Sequence, residues 1–414
     1  MTPYPTRRLA PVSSVLSLLI GLLLILLPLH SFAANGAASQ SKLADSATRS
    51  GFEHFYNMEY DAAIRDFERV LAANPNSPAA VNHLLSGIMF KELYRIGVLD
   101  SELYAKEDFI TSKQRTVDPK VRDRVKELMD RALQLSEEAL KKNPNDVEAL
   151  YARGVTRGMR ATYTGLVDKA WFSALRSAIG ARRDHERVLE LNPNYSDAKM
   201  IVGMHNYIVG SLSWAVKIAA SVVGVSGSKE KGIQYLYDAA NGGGYSAVDA
   251  KITLSIFLRR EQRYAEAIKL IDALADRYRK NFLVALEHAN LLNAAGHGPE
   301  AIAAYRKLLA SGKAGIYFEP RLEQAAYMLG EALRGQRDYK AAAEAYDQAA
   351  GYRDVEPELR ERALLAAGEA YDLANRRDLA VRRYQEVIAA DSKSRRAELA
   401  RKYLKHPFQE KTRG

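Results

Sequence analysis

The sequence predicts an all-α fold: a solenoid of stacked helical hairpins. Three observations carry that expectation. A small residue is followed twelve positions later by alanine at Gly51/Ala63, Ser255/Ala267, Ala289/Ala301, Gly330/Ala342 and Gly368/Ala380. An aromatic stands four residues beyond most of these alanines, as Phe67, Tyr305, Tyr346 and Tyr384. No stretch of any length alternates apolar and polar residues with the period of a strand.

The spacing has a physical reason. Two antiparallel helices approach closely only where the side chains at their crossing are small. The pattern sets the small residue of a first helix, A, against the alanine of a second, B. It leaves the aromatic one turn later to fill the gap toward the next hairpin. A single hairpin cannot bury its apolar face alone, so several must stack, each touching its neighbours. The 34-residue step from Ala267 to Ala301, with Ala-x3-aromatic on helix B, resembles the tetratricopeptide repeat. That resemblance implies a tetratricopeptide-like α-solenoid, a right-handed superhelix of hairpins. The later steps, 301 to 342 and 342 to 380, are seven and four residues longer. The surplus falls in Ser311–Gly315 and Gly351–Pro357, where glycine and proline permit insertions.

The elements follow in chain order. Residues 1–33 read as a signal peptide: Arg7 and Arg8, an apolar Val12–Leu29, then Ser31-Phe32-Ala33 with cleavage after Ala33. The alternative is an uncleaved inner-membrane anchor, which the apolar length permits. The arginine pair suggests a twin-arginine signal, but Leu9-Ala10 continues it poorly. With no cysteine in the chain, a lipoprotein anchor, disulfides and thiolate metal sites are all excluded. Residues 34–43 read as a disordered leader, and 44–240 as irregular hairpins. Asn-Pro-Asn at 74–76, 143–145 and 192–194 closes three B helices, because proline has no amide hydrogen to continue a helix. Pro78–Ile96, a short Asp100–Ile110 and a long amphipathic Pro119–Lys142 are expected helices. Gly154 and its partner Ala181 are 27 apart, which predicts a helical insert near 158–172.

A second insert is expected at 211–227. Ile208–Val225 is apolar apart from Lys217 and several serines. As a membrane span it would place Lys217 near its centre, at a cost of roughly 2.5–3.5 kcal/mol. A buried helix is the favoured reading, with an interfacial one between the two. Residues 241–405 then hold four regular hairpins and a basic capping helix, Ser394–Leu404, with 406–414 as a tail.

Within this frame the chain resembles a widespread group of bacterial tetratricopeptide proteins. It is also distantly similar to the eukaryotic family of tetratricopeptide protein 39 and the yeast inclusion-body clearance protein. The likeness lies in Gly203-x3-Tyr207-x2-Val209-Gly210-Ser211-Leu212 and Val223-Gly224-Val225-Ser226-Gly227-Ser228-Lys229-Glu230-Lys231-Gly232. It implies a helical solenoid and supplies no catalytic residues.

The chemistry-bearing motifs are weak. Gly224-Val225-Ser226-Gly227-Ser228 lacks the last glycine and the preceding strand of a nucleophile elbow. Gly242–Gly244 lacks the Lys-Ser/Thr of a phosphate loop. The histidines form no His-x3-His pair. No catalytic set, cofactor site or metal site is expected. The formal charge of +10 concentrates toward the C-terminal end, at Arg376, Arg377, Arg382, Arg383, Lys393, Arg395, Arg396, Arg401, Lys402 and Lys405. An exported protein is not expected to meet nucleic acid. The basic stretch reads as a solvated capping helix, with peripheral contact to an anionic membrane as the alternative.

In this architecture the A helices line the inner face, and positions one and four beyond the small residue point into it. The candidate partner groove is therefore Phe52 and Phe55, Met204 and Tyr207, Ile256 and Arg259, Asn290 and Asn293, Glu331 and Arg334, Glu369 and Asp372. Its first half is apolar and its second polar. The expected function is an exported, non-catalytic scaffold that binds a protein or peptide in the cell envelope. The runner-up is a ligand- or lipid-binding accessory of a transport system, its apolar pocket closed by the two inserts.

Overall fold

The computed structural model describes residues 38–99, 116–212, 217 and 226–410, with backbone only for 38–45. Seventeen helices and no strand occur among the described residues, so the chain is an all-α solenoid of tetratricopeptide type. The signal segment, the expected helix 100–110 and most of the insert 211–227 lie outside the described residues.

The helices divide between two compact units, Met1–Phe257 and Leu258–Gly414. The first unit holds α1 (Ala38–Tyr56), α2 (Tyr60–Ala73), α3 (Pro78–Arg95), α4 (Pro119–Lys142), α5 (Val147–Leu166), α6 (Trp171–Leu191), α7 (Ser196–Gly210), α8 (Lys229–Asn241) and most of α9 (Ala247–Arg260). The second holds α10 (Tyr264–Arg277), α11 (Phe282–Ala294), α12 (Gly298–Lys313), α13 (Leu322–Gly335), α14 (Tyr339–Ala350), α15 (Pro357–Leu373), α16 (Arg377–Ala390) and α17 (Arg395–Lys405). The border falls inside α9, past the Gly-rich turn where the sequence places it. Helix α1 begins within the stretch read as a leader.

The hairpins interlock differently from the expected glycine-on-alanine crossing. A Cβ on Gly51 would stand 2.5 Å from the Phe67 ring, one on Gly330 2.5 Å from Tyr346, and one on Gly368 2.5 Å from Tyr384. The aromatic of helix B therefore lies on the glycine of helix A in its own hairpin. It also borders the element that follows, where Phe67 meets His83 of α3 at 5.7 Å and Tyr384 meets Tyr403 of α17 at 5.6 Å between ring centroids. A helical side chain leans toward its own N-terminus, which brings a ring one turn beyond the alanine back to the level of the glycine.

The irregular middle follows the same rule with other residues. In α5/α6 the ring of His185, four beyond Ala181, is packed on Gly154. In α7/α8 a Cβ on Gly203 would stand 3.0 Å from the carbonyl oxygen of Gly232 and 3.1 Å from Leu236. The expected insert near 158–172 is not a separate element. It lengthens the hairpin, carrying α5 to Leu166 and starting α6 at Trp171.

The turns are equally regular. Helices α2, α4 and α6 end just before Asn74, Asn143 and Asn192, as the Asn-Pro-Asn tripeptides predict. Helices α3 and α5 then start on Ser77 and Asp146, which accept from the backbone N–H of Ala80 and Ala149 at 3.2 and 3.0 Å. Within five hairpins the residue seven beyond the small one turns left-handed: Met58, Gln262, Gly296, Arg337 and Asn375, with φ between 58° and 83°. Only one of the five is glycine, so this turn leaves little mark on the sequence.

No helix among the described residues is long and apolar enough to cross a membrane.

Candidate functional site

In the first unit Phe52, Phe55, Met204 and Tyr207 of the predicted groove are core, and Ile256 is half-buried. Phe52 and Phe55 are 4% exposed, Met204 3% and Tyr207 fully buried. Phe52 packs on Phe67 at 4.9 Å between ring centroids, His83 at 5.4 Å and Tyr245 at 5.1 Å. Phe55 packs on Tyr60 and Phe90 at 5.6 and 5.7 Å. Tyr207 stacks on Phe257 at 3.9 Å. The segment leading into α9 comes back to α1, where the Tyr56 hydroxyl donates to the Tyr245 carbonyl at 3.4 Å. These four residues are therefore not an open surface. Their own neighbours cover them, and no such long-range packing can be read from a position within one repeat.

A buried polar layer lies in the same unit. Asp197 accepts from the Ser246 N–H at 3.1 Å and from its hydroxyl at 2.6 Å. Asp249 is fully buried. Burial raises its carboxyl well above the usual range, the neighbouring Asp197 adds to this, and the Tyr56 hydroxyl opposes it in part. Burial also pushes His83 down to about 3 and His185 to about 4. Asp184 is held by Arg153 at 2.7 Å and Arg157 at 2.8 Å. No group of three or more His, Asp or Glu side chains able to hold a metal ion occurs among the described residues.

In the second unit the polar candidates lie along the A helices, most of them tied to a neighbouring side chain. Tyr305 of α12 donates to the Asn290 carboxamide oxygen at 2.6 Å, Tyr346 of α14 to Glu331 at 2.6 Å, and Tyr384 of α16 to Asp372 at 2.9 Å. The ring that closes each hairpin thus passes its hydroxyl through to the A-helix face. Arg334 bridges to Glu369 of the next A helix at 2.9 Å, and Arg377 holds Asp372 at 2.9 Å. Arg259 stands 3.4 Å from Glu287. Asn290 is 3% exposed, so its carboxamide serves Tyr305 rather than a partner. Asn293, one turn along, is half-buried.

The positions one and four beyond the small residue do not include these phenols, though the sequence carries their signal. Where the A helix offers a polar acceptor, the closing aromatic is tyrosine, and where it offers Phe52 the closing aromatic is Phe67. A buried hydroxyl needs a partner, so the choice of ring reports the chemistry of the facing helix.

The basic stretch is partly neutralised within the unit. Arg383 holds Asp347 through bonds of 2.6 and 3.0 Å, and Arg396 holds Glu361 at 3.1 Å. Helix α17 buries only Ala397 and Ala400 against the preceding hairpin, as a capping helix does.

Comparisons with known proteins agree with this architecture. A family model described as regulator of microtubule dynamics protein 1-3 matches residues 107–281, and a tetratricopeptide-repeat model matches residues 286–357. The stretch Gly203–Gly232 falls within the first. No sequence among the curated proteins matches the chain. The crystal structure of the APC/C hetero-tetramer Cut9-Hcn1 is 14% identical with a TM-score of 0.47, over 90% of this chain and 57% of that one. This chain thus spans little more than half the length of that relative. The C-terminal part of a tetratricopeptide protein from Cytophaga hutchinsonii is 14% identical, covering 66% of this chain and 94% of that one, TM-score 0.44. The human IFIT1 dimer with m7Gppp-AAAA is 11% identical, covering 97% and 86%, TM-score 0.39. With the repeat model and the hairpin geometry, the chain is a tetratricopeptide-containing protein, a fold that supports protein–protein interaction.

Proposed function

We propose that this chain is an exported, non-catalytic scaffold of the cell envelope that holds a protein partner on the A-helix face of its second unit. The observation that carries the reading is the row Glu331, Arg334, Glu369 and Asp372, whose side chains are fixed from behind by tyrosines or by one another. Groups held in place lose little freedom when a partner arrives, so they favour capture. They suit an extended segment whose backbone and side chains both offer hydrogen bonds. The mechanism is surface presentation, with no bond made or broken.

Export rests on the sequence of residues 1–33: the chain is released to the periplasm or beyond after cleavage near Ala33, or stays at the inner membrane if the segment is retained. Kinship with the tetratricopeptide protein 39 family belongs to the same proposal and rests on Gly203–Gly232. Fractionation with N-terminal sequencing of the mature chain tests export, and a cytoplasmic chain that keeps Met1 would refute it. Cross-linking in the native envelope tests the scaffold, and a chain that yields no protein neighbour would refute that part.

A further inference from the structure

The segment that follows α17 does not leave the protein surface. It turns back on the A-helix face of the second unit. The turn starts where Arg377 donates to the carbonyl oxygens of Tyr403 and Leu404 at 2.7 and 2.8 Å. His406 is extended, at φ −132° and ψ 113°, as the residue before a proline prefers. Beyond Pro407 five contacts follow. The backbone N–H of Phe408 donates to Asp372 at 2.8 Å. The Phe408 ring takes the Arg334 guanidinium on its face at 5.3 Å and meets the Tyr403 ring edge-on at 5.2 Å. Glu410 accepts from the Tyr339 hydroxyl at 3.2 Å and lies 3.5 Å from Arg334. With this segment in place the Asp372 side chain is 1% exposed.

These contacts use each part of a short peptide differently. A carboxylate captures main chain, a cation and an aromatic edge grip a ring, and a cation with a phenol receives an acid two residues on. Arg334 is central because it serves Phe408, Glu410 and Glu369 together, which a guanidinium can do and an ammonium cannot. Two of these receiving residues, Arg334 and Asp372, belong to the row on which the scaffold reading rests, and Glu369 of the same row holds Arg334 at 2.9 Å.

We propose that the face formed by α13, α15 and α17 is a recognition site for an extended segment with an aromatic residue followed two positions later by a carboxylate, and that His406–Glu410 is its resident occupant, displaced by a partner segment of the same chemistry. The proposal deepens the scaffold reading and rests on it for the existence of a partner. The short tether to α17 gives the resident segment an effective concentration on the order of millimolar. With an intrinsic Kd of about 100 μM for the resident segment, a partner segment would therefore bind the unaltered chain about tenfold more weakly than an opened one. The site thus ignores weak aromatic-acidic segments and answers only to tight or concentrated ones.

The test uses the full chain and its variant Phe408→Ala/Glu410→Ala. The probe is a fluorescein-labelled peptide of residues 405–411, Lys-His-Pro-Phe-Gln-Glu-Lys, read by anisotropy. The expected result is binding to the variant at least tenfold tighter than to the unaltered chain. Binding is lost when the peptide's Phe is replaced by Ala, and when Arg334→Gln is added to the variant. Equal binding by the two chains overturns the proposal. So does no binding to a variant whose unfolding midpoint matches the parent. If the double variant is destabilised, hydrogen exchange on the unaltered chain decides: millimolar peptide must speed exchange of the Phe408 amide, and unchanged protection overturns the proposal. A protein neighbour cross-linked in the envelope without peptide binding would sink this inference alone. Peptide binding without any neighbour would sink the scaffold reading alone.

Discussion

Replacing Gly330 by alanine tests how the hairpins are held together. A Cβ there would stand 2.5 Å from the Tyr346 Cδ1 and Cε1 atoms, where ordinary carbon contacts are about 3.5–4.0 Å. Relief needs a shift of roughly an ångström. Tyr346 cannot readily give it, because its ring is fully buried and its hydroxyl is tied to Glu331 at 2.6 Å. The Tyr327 ring also stands 5.3 Å away. Overpacking of this kind costs about 1–3 kcal/mol. Against it stands about 1 kcal/mol of helix propensity gained by exchanging glycine for alanine. The net expectation is a loss of about 1 kcal/mol. Gly335, five residues along the same helix, has nothing within 4 Å of a built Cβ, so Gly335→Ala should be neutral or stabilising by up to about 1 kcal/mol.

The difference between the two variants isolates the contact, since propensity enters both. Urea unfolding followed by circular dichroism gives the midpoints. Hydrogen exchange in α13 and α14 gives the local opening, which matters because a solenoid can unfold in parts. Tyr346→Leu in the Gly330→Ala background should recover part of the loss, a coupling that neighbouring residues show and distant ones do not. Equal stability of Gly330→Ala and Gly335→Ala would refute the ring-on-glycine interlock.

Three further outcomes follow from the same geometry. Asp249→Asn should stabilise the chain at pH 7: the folded carboxyl titrates above its unfolded range of about 4, so its contribution is intact below that range and is lost as pH rises through the folded value. The variant's advantage in melting temperature should shrink as pH approaches 4, and a gain independent of pH would contradict the assignment. Gln262→Gly and Arg337→Gly, at exposed left-handed turn positions, should each be neutral or stabilising by up to about 1 kcal/mol, whereas clear destabilisation in urea would contradict the turn geometry. Asn290→Ala should cost about 1–3 kcal/mol by leaving the Tyr305 hydroxyl buried without its acceptor. Asn293→Ala should leave the urea midpoint within about 0.5 kcal/mol of the parent, and equal losses for the two would contradict their separate roles.

The sequence makes the hairpins legible because their spacing is imposed by backbone approach, which allows few residue types. Gly51, Gly330 and Gly368 had to be small, and so they mark the crossings. What they face was harder to read: periodicity gives the level along a helix, whereas the lean of Phe67 and Tyr346 toward their own N-termini decides which residue the ring meets. His185 and Leu236 were hidden because an aromatic was expected where a different bulky side chain fills the place. In the candidate groove, positions one and four beyond the small residue locate Arg334, Glu369 and Asp372 as a connected polar set. The same rule cannot show that Tyr245 returns to cover Phe52, or that Phe408 reaches Asp372, since both contacts join residues far apart in the chain.

If partners are received on the A-helix face of the second unit, a photo-cross-linking residue at Asn293 captures them. The control is the same residue at Lys307, exposed on the B helix α12. In native cells a protein adduct should form at Asn293 and be absent at Lys307. No adduct at Asn293, or the same adduct at both positions, would contradict reception on that face.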